Sequence, residues 1–338
     1  MAAPRPPADS AAYAIVRPFF ATNRKRIGAD LLKASFGGER GVLTYGTCEV
    51  SIPRYHRVGQ LESPSIWRFE FREDPARHVV LMSVSTKPKA EYFAQLTRSI
   101  AAARQRTAFV FVHGYNVSFE DAARRTAQMS YDLGYQGVPV FFSWPSQSSL
   151  SAYTVDEQNI EWAEVGLQSF LHDFLAQSGV SEVVLIAHSM GNRGLTRTLA
   201  AVLRENPALR SKVKEIILAA PDIDADVFRD QIAPALIEAQ RPITLYASSK
   251  DLALSASREV HGAARAGDSG LGLIIFPGIE TIDATDVDTS LLGHSYIGDS
   301  PTVISDMTSL IREGLRADKR VGLSVVEKPG GRYWAVTR

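Results

Sequence analysis

Five consecutive apolar residues, Ala108-Phe109-Val110-Phe111-Val112, constrain the fold of this chain more than any other feature. A run that does not alternate forms a strand buried on both faces, as happens in parallel sheets covered by helices. The pattern then repeats. Residues 118–133 have helical spacing, with Ser118 and Asp121 placed for an N-terminal cap. Strands are expected at 138–143, 182–187, 215–219, 243–246 and 279–284. Helices are expected at 155–178, 191–204, 228–239, 255–264 and 302–315. Such alternation implies right-handed βαβ units and a mostly parallel central sheet flanked by helices, an α/β class.

Ahead of this, 14–22, 48–52, 67–71 and 78–85 read as short strands of an N-terminal β-rich, antiparallel portion, and 90–104 as a helix. The spacing predicts a Pro- and Ala-rich lead-in at 1–12, one domain over 13–315, and a polar tail at 316–338 with some β character. Lys plus Arg equals Asp plus Glu at 37 each, so the basic surplus of a nucleic-acid binder is missing. No apolar run reaches the ~18 residues of a membrane span, so no integral membrane segment is expected. The stretch 11–20 is broken by Tyr13, Arg17 and Pro18 and fails as an export signal, which leaves a cytoplasmic location as the expectation. Cys48 is the single cysteine, so an internal disulfide and a four-cysteine zinc site are excluded. Neither a metal nor a cofactor is expected. Histidine and carboxylate spacings do not cluster, and Gly270-Leu271-Gly272 has no third glycine in register. Oligomeric state is left open.

In an open α/β sheet, ligands bind beyond the carboxyl ends of the strands. One such end runs Ala187-His188-Ser189-Met190-Gly191 and continues as a helix. A serine with small residues two before and two after it, between strand and helix, sits on a sharp turn that lifts its hydroxyl above the sheet. Ser189 is therefore the candidate nucleophile, although serine also serves as an ordinary helix cap. In this topology the acid and then the base follow the nucleophile. Only His261 and His294 come after Ser189. His261 falls on an expected solvated helix face and His294 in a loop, so His294 is the candidate base. Asp251, after the strand at 243–246, is the candidate acid, with Asp222 and Asp224 one strand earlier as alternatives that helix capping would also explain. Acyl transfer needs an oxyanion site. The N–H groups of Met190 and Tyr115 are the expected donors, with Gly114 allowing close approach. Gly114, Trp144 and His188 are candidate substrate contacts, and residues 146–162 a candidate small cap.

Taken together, Phe19-Phe20-Ala21-Thr22-Asn23-Arg24, Val112-His113-Gly114-Tyr115-Asn116, Phe142-Ser143-Trp144-Pro145-Ser146, Ala187-His188-Ser189-Met190-Gly191-Asn192, Ala220-Pro221-Asp222-Ile223-Asp224 and Gly293-His294-Ser295-Tyr296 resemble a bacterial α/β-hydrolase family. It is the family known as domain of unknown function 900, whose members are regarded as serine esterases. The resemblance runs from about residue 18 to 315. It implies an α/β-hydrolase fold and a Ser189, Asp251, His294 triad but does not fix the substrate. The strand–Ser189–helix motif itself leads to the expectation of a small-molecule ester substrate of short to medium chain length. Lipase, thioesterase or amidase chemistry would use the same triad, and a non-catalytic binding protein on this fold is the other alternative.

Overall fold

The run at 108–112 sends its side chains alternately into two separate cores. Ala108, Val110 and Val112 pack on one face with Leu96 and Ile100, Phe170 and Phe174, and Leu195 and Leu199. Phe109 and Phe111 pack on the other with Phe119, Met129, Val303 and Met307. This is the physical content of a non-alternating strand: both faces are covered. The computed structural model describes residues 12–27, 36–64, 72–270, 272–287 and 300–337. Among them, twelve strands form one sheet.

The strands are β1 (Tyr13–Val16), β2 (Phe19–Arg26), β3 (Phe36–Pro53), β4 (Val80–Lys87), β5 (Thr107–Val112), β6 (Val138–Ser143), β7 (Glu182–His188), β8 (Val213–Ala219), β9 (Ile243–Ala247), β10 (Ile279–Asp283), β11 (Leu323–Lys328) and β12 (Gly331–Val336). From β2 the order is β2-β6-β5-β7-β8-β9-β10-β12, every pair parallel. β1, β2 and β4 pair antiparallel with β3, and β11 pairs antiparallel with β12. Helices α1 (Lys89–Ala102), α3 (Tyr153–Gln177) and α4 (Gly191–Glu205) bury their apolar faces in the first core, and α2 (Phe119–Asp132) in the second. α2 opens with the expected capping box: the Asp121 backbone N–H donates to Ser118 Oγ, and the Ser118 N–H to the Asp121 carboxylate. No described helix is long and apolar enough to cross a membrane.

Several elements differ from their sequence reading. The helix expected at 228–239 is α5 (Ala225–Val227), a π turn at Phe228–Ile232 and α6 (Ala233–Ile237). Pro234, with no N–H to donate, accounts for the interrupted α pattern. Helix α7 (Leu252–His261) starts three residues before the expected position, and α8 (Pro301–Thr308) passes into a π turn ended by Gly314 at φ 67°. The expected strand at 67–71 lies outside the described residues. The tail, which had no assigned place, adds β11 and β12 to the sheet. Arg316 bonds Glu215 and Glu280, and Arg320 bonds Asp306, all in the body of the fold.

A buried histidine ties the segment after β3 to the end of α2. His56 Nδ1 lies 2.8 Å from Glu62 and Nε2 2.8 Å from Asp132. Burial alone would lower its pKa, but hydrogen bonds to the two carboxylates outweigh it and push it up to about 9. A folded pKa above the unfolded value of about 6.5 means this stabilisation is complete below that pH and is lost as pH rises through about 9. Thermal melts from neutral to alkaline pH should therefore fall more steeply for the wild type than for His56→Gln. Parallel slopes would show that the cluster contributes nothing to pH dependence.

Candidate active site

β7 ends at His188, and the next residue, Ser189, has φ 52°. A serine rarely occupies this left-handed region, which costs about 1–2 kcal/mol and persists only when its surroundings hold it there. Three contacts do so. The Ser189 N–H donates to Ala219 O at 2.9 Å, and Ser189 O accepts from the Asn192 N–H and side-chain amide at 3.1 and 2.9 Å. α4 then begins at Gly191, with Met190 as its cap residue. A Cβ on Gly191 would stand 2.3 Å from the His113 carbonyl oxygen, so only glycine lets the helix start this close to β5. The first-turn N–H groups of α4 lack intrahelical acceptors and carry partial positive charge toward the turn.

The loop after β5 crosses directly over this turn. A Cβ on Gly114 would lie 2.9 Å from Ser189 Cβ and 3.1 Å from His188 Nδ1. Thus Ser189, Met190, Gly114 and the half-buried His188 and Tyr115 are brought together. Asn116, at φ 55°, donates its N–H to Asp156 at 3.2 Å, and Asp156 also accepts from Ser146 Oγ and the Gln147 N–H. Burial raises the Asp156 carboxyl, and these hydrogen bonds offset part of the shift. Within the candidate cap segment 146–162, a 3₁₀ turn at Leu150–Ala152 leads into α3, whose first turns bury Asp156 and Asn159 while Leu150, Val155 and Trp162 stay exposed. Trp144 also departs from expectation. It has no exposed surface, its indole N–H donates to His113 O at 2.7 Å, and its ring stacks on His113 with centroids 5.1 Å apart. It supports the loop from below and has no surface with which to touch substrate.

Asp251 follows β9 and is buried, with Oδ1 accepting the Leu254 N–H at 3.0 Å as α7 begins. Asp224 caps α5 through the Asp226 and Val227 N–H groups. Asp222 is not a helix cap. Its carboxylate accepts from Ser257 Oγ at 2.7 Å and Arg265 Nε at 2.9 Å, and it also bonds the Tyr153 hydroxyl and Arg193. Burial would raise its pKa, but Arg193 and Arg265 hold it below the ordinary carboxylate range. His261 is exposed, as expected of its helix face, and its ring also joins the rim of this cluster, with Nε2 at 2.8 Å from Glu157 and Nδ1 at 2.7 Å from Ser257 O. His294 lies outside the described residues. Among the described residues no cluster of three or more histidine, cysteine or carboxylate groups is arranged to hold a metal.

Residues 88–313 match the family described as alpha/beta hydrolase of unknown function (DUF900). The chain belongs to this family. No functionally curated protein matches it. Among solved structures, it is similar to a predicted CIB-like hydrolase from Thermoplasma acidophilum at 15% identity and TM-score 0.37, covering 70% of this chain and 93% of that one. An esterase of Pyrococcus furiosus shares 12% identity at TM-score 0.34, over 86% and 97% of the two chains. An esterase of Rhizomucor miehei shares 11% identity at TM-score 0.34, over 89% and 84%. As a DUF900 α/β-hydrolase, the chain has its strand–Ser189–helix turn and its β5 loop at the carboxyl edge of the sheet, where the ligand crevice of an open α/β sheet lies.

Proposed function

We propose that this α/β-hydrolase cleaves carboxylic esters of short to medium chain length through an acyl-serine intermediate. The observation that carries the reading is Ser189 held at φ 52° between β7 and α4, with the Gly114 backbone against it. In the proposed reaction Ser189 Oγ attacks the acyl carbon while His294 accepts its proton, with Asp251 orienting the imidazole. The tetrahedral oxyanion accepts hydrogen bonds from the Met190 and Tyr115 N–H groups. Collapse breaks the bond to the alcohol, which leaves with the proton held by His294. Water, deprotonated by the same histidine, then attacks the acyl carbon, and a second collapse frees the acid and Ser189.

The test is hydrolysis of nitrophenyl esters of graded acyl length, with Ser189→Ala as the blank. Turnover of the shorter esters, insensitive to chelators and abolished in the variant, is the expected result. Turnover that a chelator removes, or that Ser189→Ala keeps, would count against the reading.

A further inference from the structure

A guanidinium from outside the family-matched segment reaches the base of this site. Arg24, in the middle of β2, is buried, and all five of its N–H donors have acceptors. Nε donates to Ser143 Oγ at 2.8 Å, Nη1 to Ser146 O at 2.8 Å and Gly37 O at 3.0 Å, and Nη2 to Val117 O at 2.6 Å. The fifth faces His113 Nε2 at 3.4 Å. Ser143 Oγ accepts from Arg24 and so has its own proton for His113 Nε2, 3.0 Å away. A ring nitrogen that accepts from two donors carries no proton. The His113 proton is then on Nδ1, which donates to the Gly114 carbonyl at 2.7 Å. Burial first, and the Arg24 charge second, push His113 well below the ordinary histidine range, consistent with a neutral ring.

This bond decides which way a peptide faces. The Gly114–Tyr115 peptide is trans, as are the others described, so its N–H points opposite to its carbonyl. With the carbonyl tied down to His113, the Tyr115 N–H faces away from the ring. Glycine at 114 leaves the peptide free to rotate, so an external hold is needed. We propose that Arg24 and Ser143 are positioning residues that act through His113 to fix the Gly114–Tyr115 peptide with its N–H toward the oxyanion of the reacting ester. The proposal rests on the reading of Ser189 as nucleophile. It gives the N-terminal strand β2, outside residues 88–313, a part in the chemistry.

Two measurements on the full chain test it. Nitrogen NMR of protein labelled in its histidine rings, with the His113 signal identified by its loss in His113→Gln, should show a neutral ring protonated at Nδ1. A proton on Nε2 would overturn the proposal. Arg24→Met and the milder Ser143→Ala should lower kcat and the affinity for a boronic acid inhibitor in parallel, by about 10- to 100-fold, with KM moving less than about threefold. That parallel loss reports on the anion alone and would not follow from weakened packing. Variants that melt earlier but keep kcat and boronate affinity would reduce the relay to a structural role and overturn the proposal. Turnover that survives Ser189→Ala would instead overturn the nucleophile assignment beneath it, and that control separates the two failures.

Discussion

Asp251→Asn is expected to lower kcat by about 10²–10⁴, and His294→Ala by on the order of 10⁴, both with the fold intact. The asparagine side-chain oxygen can still accept the Leu254 N–H that starts α7, so the substitution changes charge and tautomer control with little effect on that helix. Asp222→Asn should behave differently. It removes the carboxylate between Arg193 and Arg265, and breaking a buried ion pair from one side costs about 3–5 kcal/mol. His261→Ala breaks contacts to Glu157 and Ser257 within that same cluster and should lower stability while leaving turnover nearly unchanged. Kinetics on purified, folded variants, paired with thermal melts, check all four. A folded but inactive Asp222→Asn beside a normally active Asp251→Asn would move the acid one strand earlier in the sheet.

A comparable loss of stability is expected from one methyl group. Gly191→Ala would place Cβ 2.3 Å from His113 O and 2.7 Å from Val112 O. Both are backbone atoms of the β5 end, so no rotamer change relieves the clash. The start of α4 has to move away from the sheet, at a cost of about 3 kcal/mol or more. The displacement also drags the loop at 113–116, so residual turnover should fall with stability. Urea denaturation of Gly191→Ala against wild type measures the first effect. A change below about 1 kcal/mol would mean that strand and helix do not approach as closely as the structure has them.

Where sequence reasoning reached the site, it did so through local chemistry. Ala187 and Gly191 flank Ser189, and the need for small residues at those positions is visible within one turn of chain. The cap at Ser118 and Asp121 is equally local. What was missed depends on partners far away in sequence. Arg24 meets Ser143 119 residues later, and Asp222 meets Arg265 43 residues later, so neither environment can be read from neighbours. A signal for Arg24 existed: Phe19-Phe20-Ala21-Thr22-Asn23-Arg24 are all buried, and an apolar run that enters polar residues without a Gly or Pro break is what a strand continuing past its apolar part looks like. The aromatic residue Trp144 was read as lining because it follows a strand end, yet its indole N–H had a nearer acceptor in His113 O. β3 was read as five residues where it has eighteen, because Gly37, Gly38, Gly41 and Gly46 look like breakers. Two of them mark close approach instead: a Cβ on Gly46 would meet Ser85 O at 2.3 Å, and one on Gly41 would meet the Lys25 backbone at 2.7 Å.

Covalent labelling checks whether Ser189 is the nucleophile of this hydrolase. Incubation with an alkyl fluorophosphonate should add one phosphonyl group per chain, and peptide mapping should locate it on Ser189, with loss of ester hydrolysis in step with labelling. Heat-denatured protein and Ser189→Ala should take no label. A chain that hydrolyses esters at full rate while Ser189 stays unmodified, or that carries the label on another residue, would contradict the account.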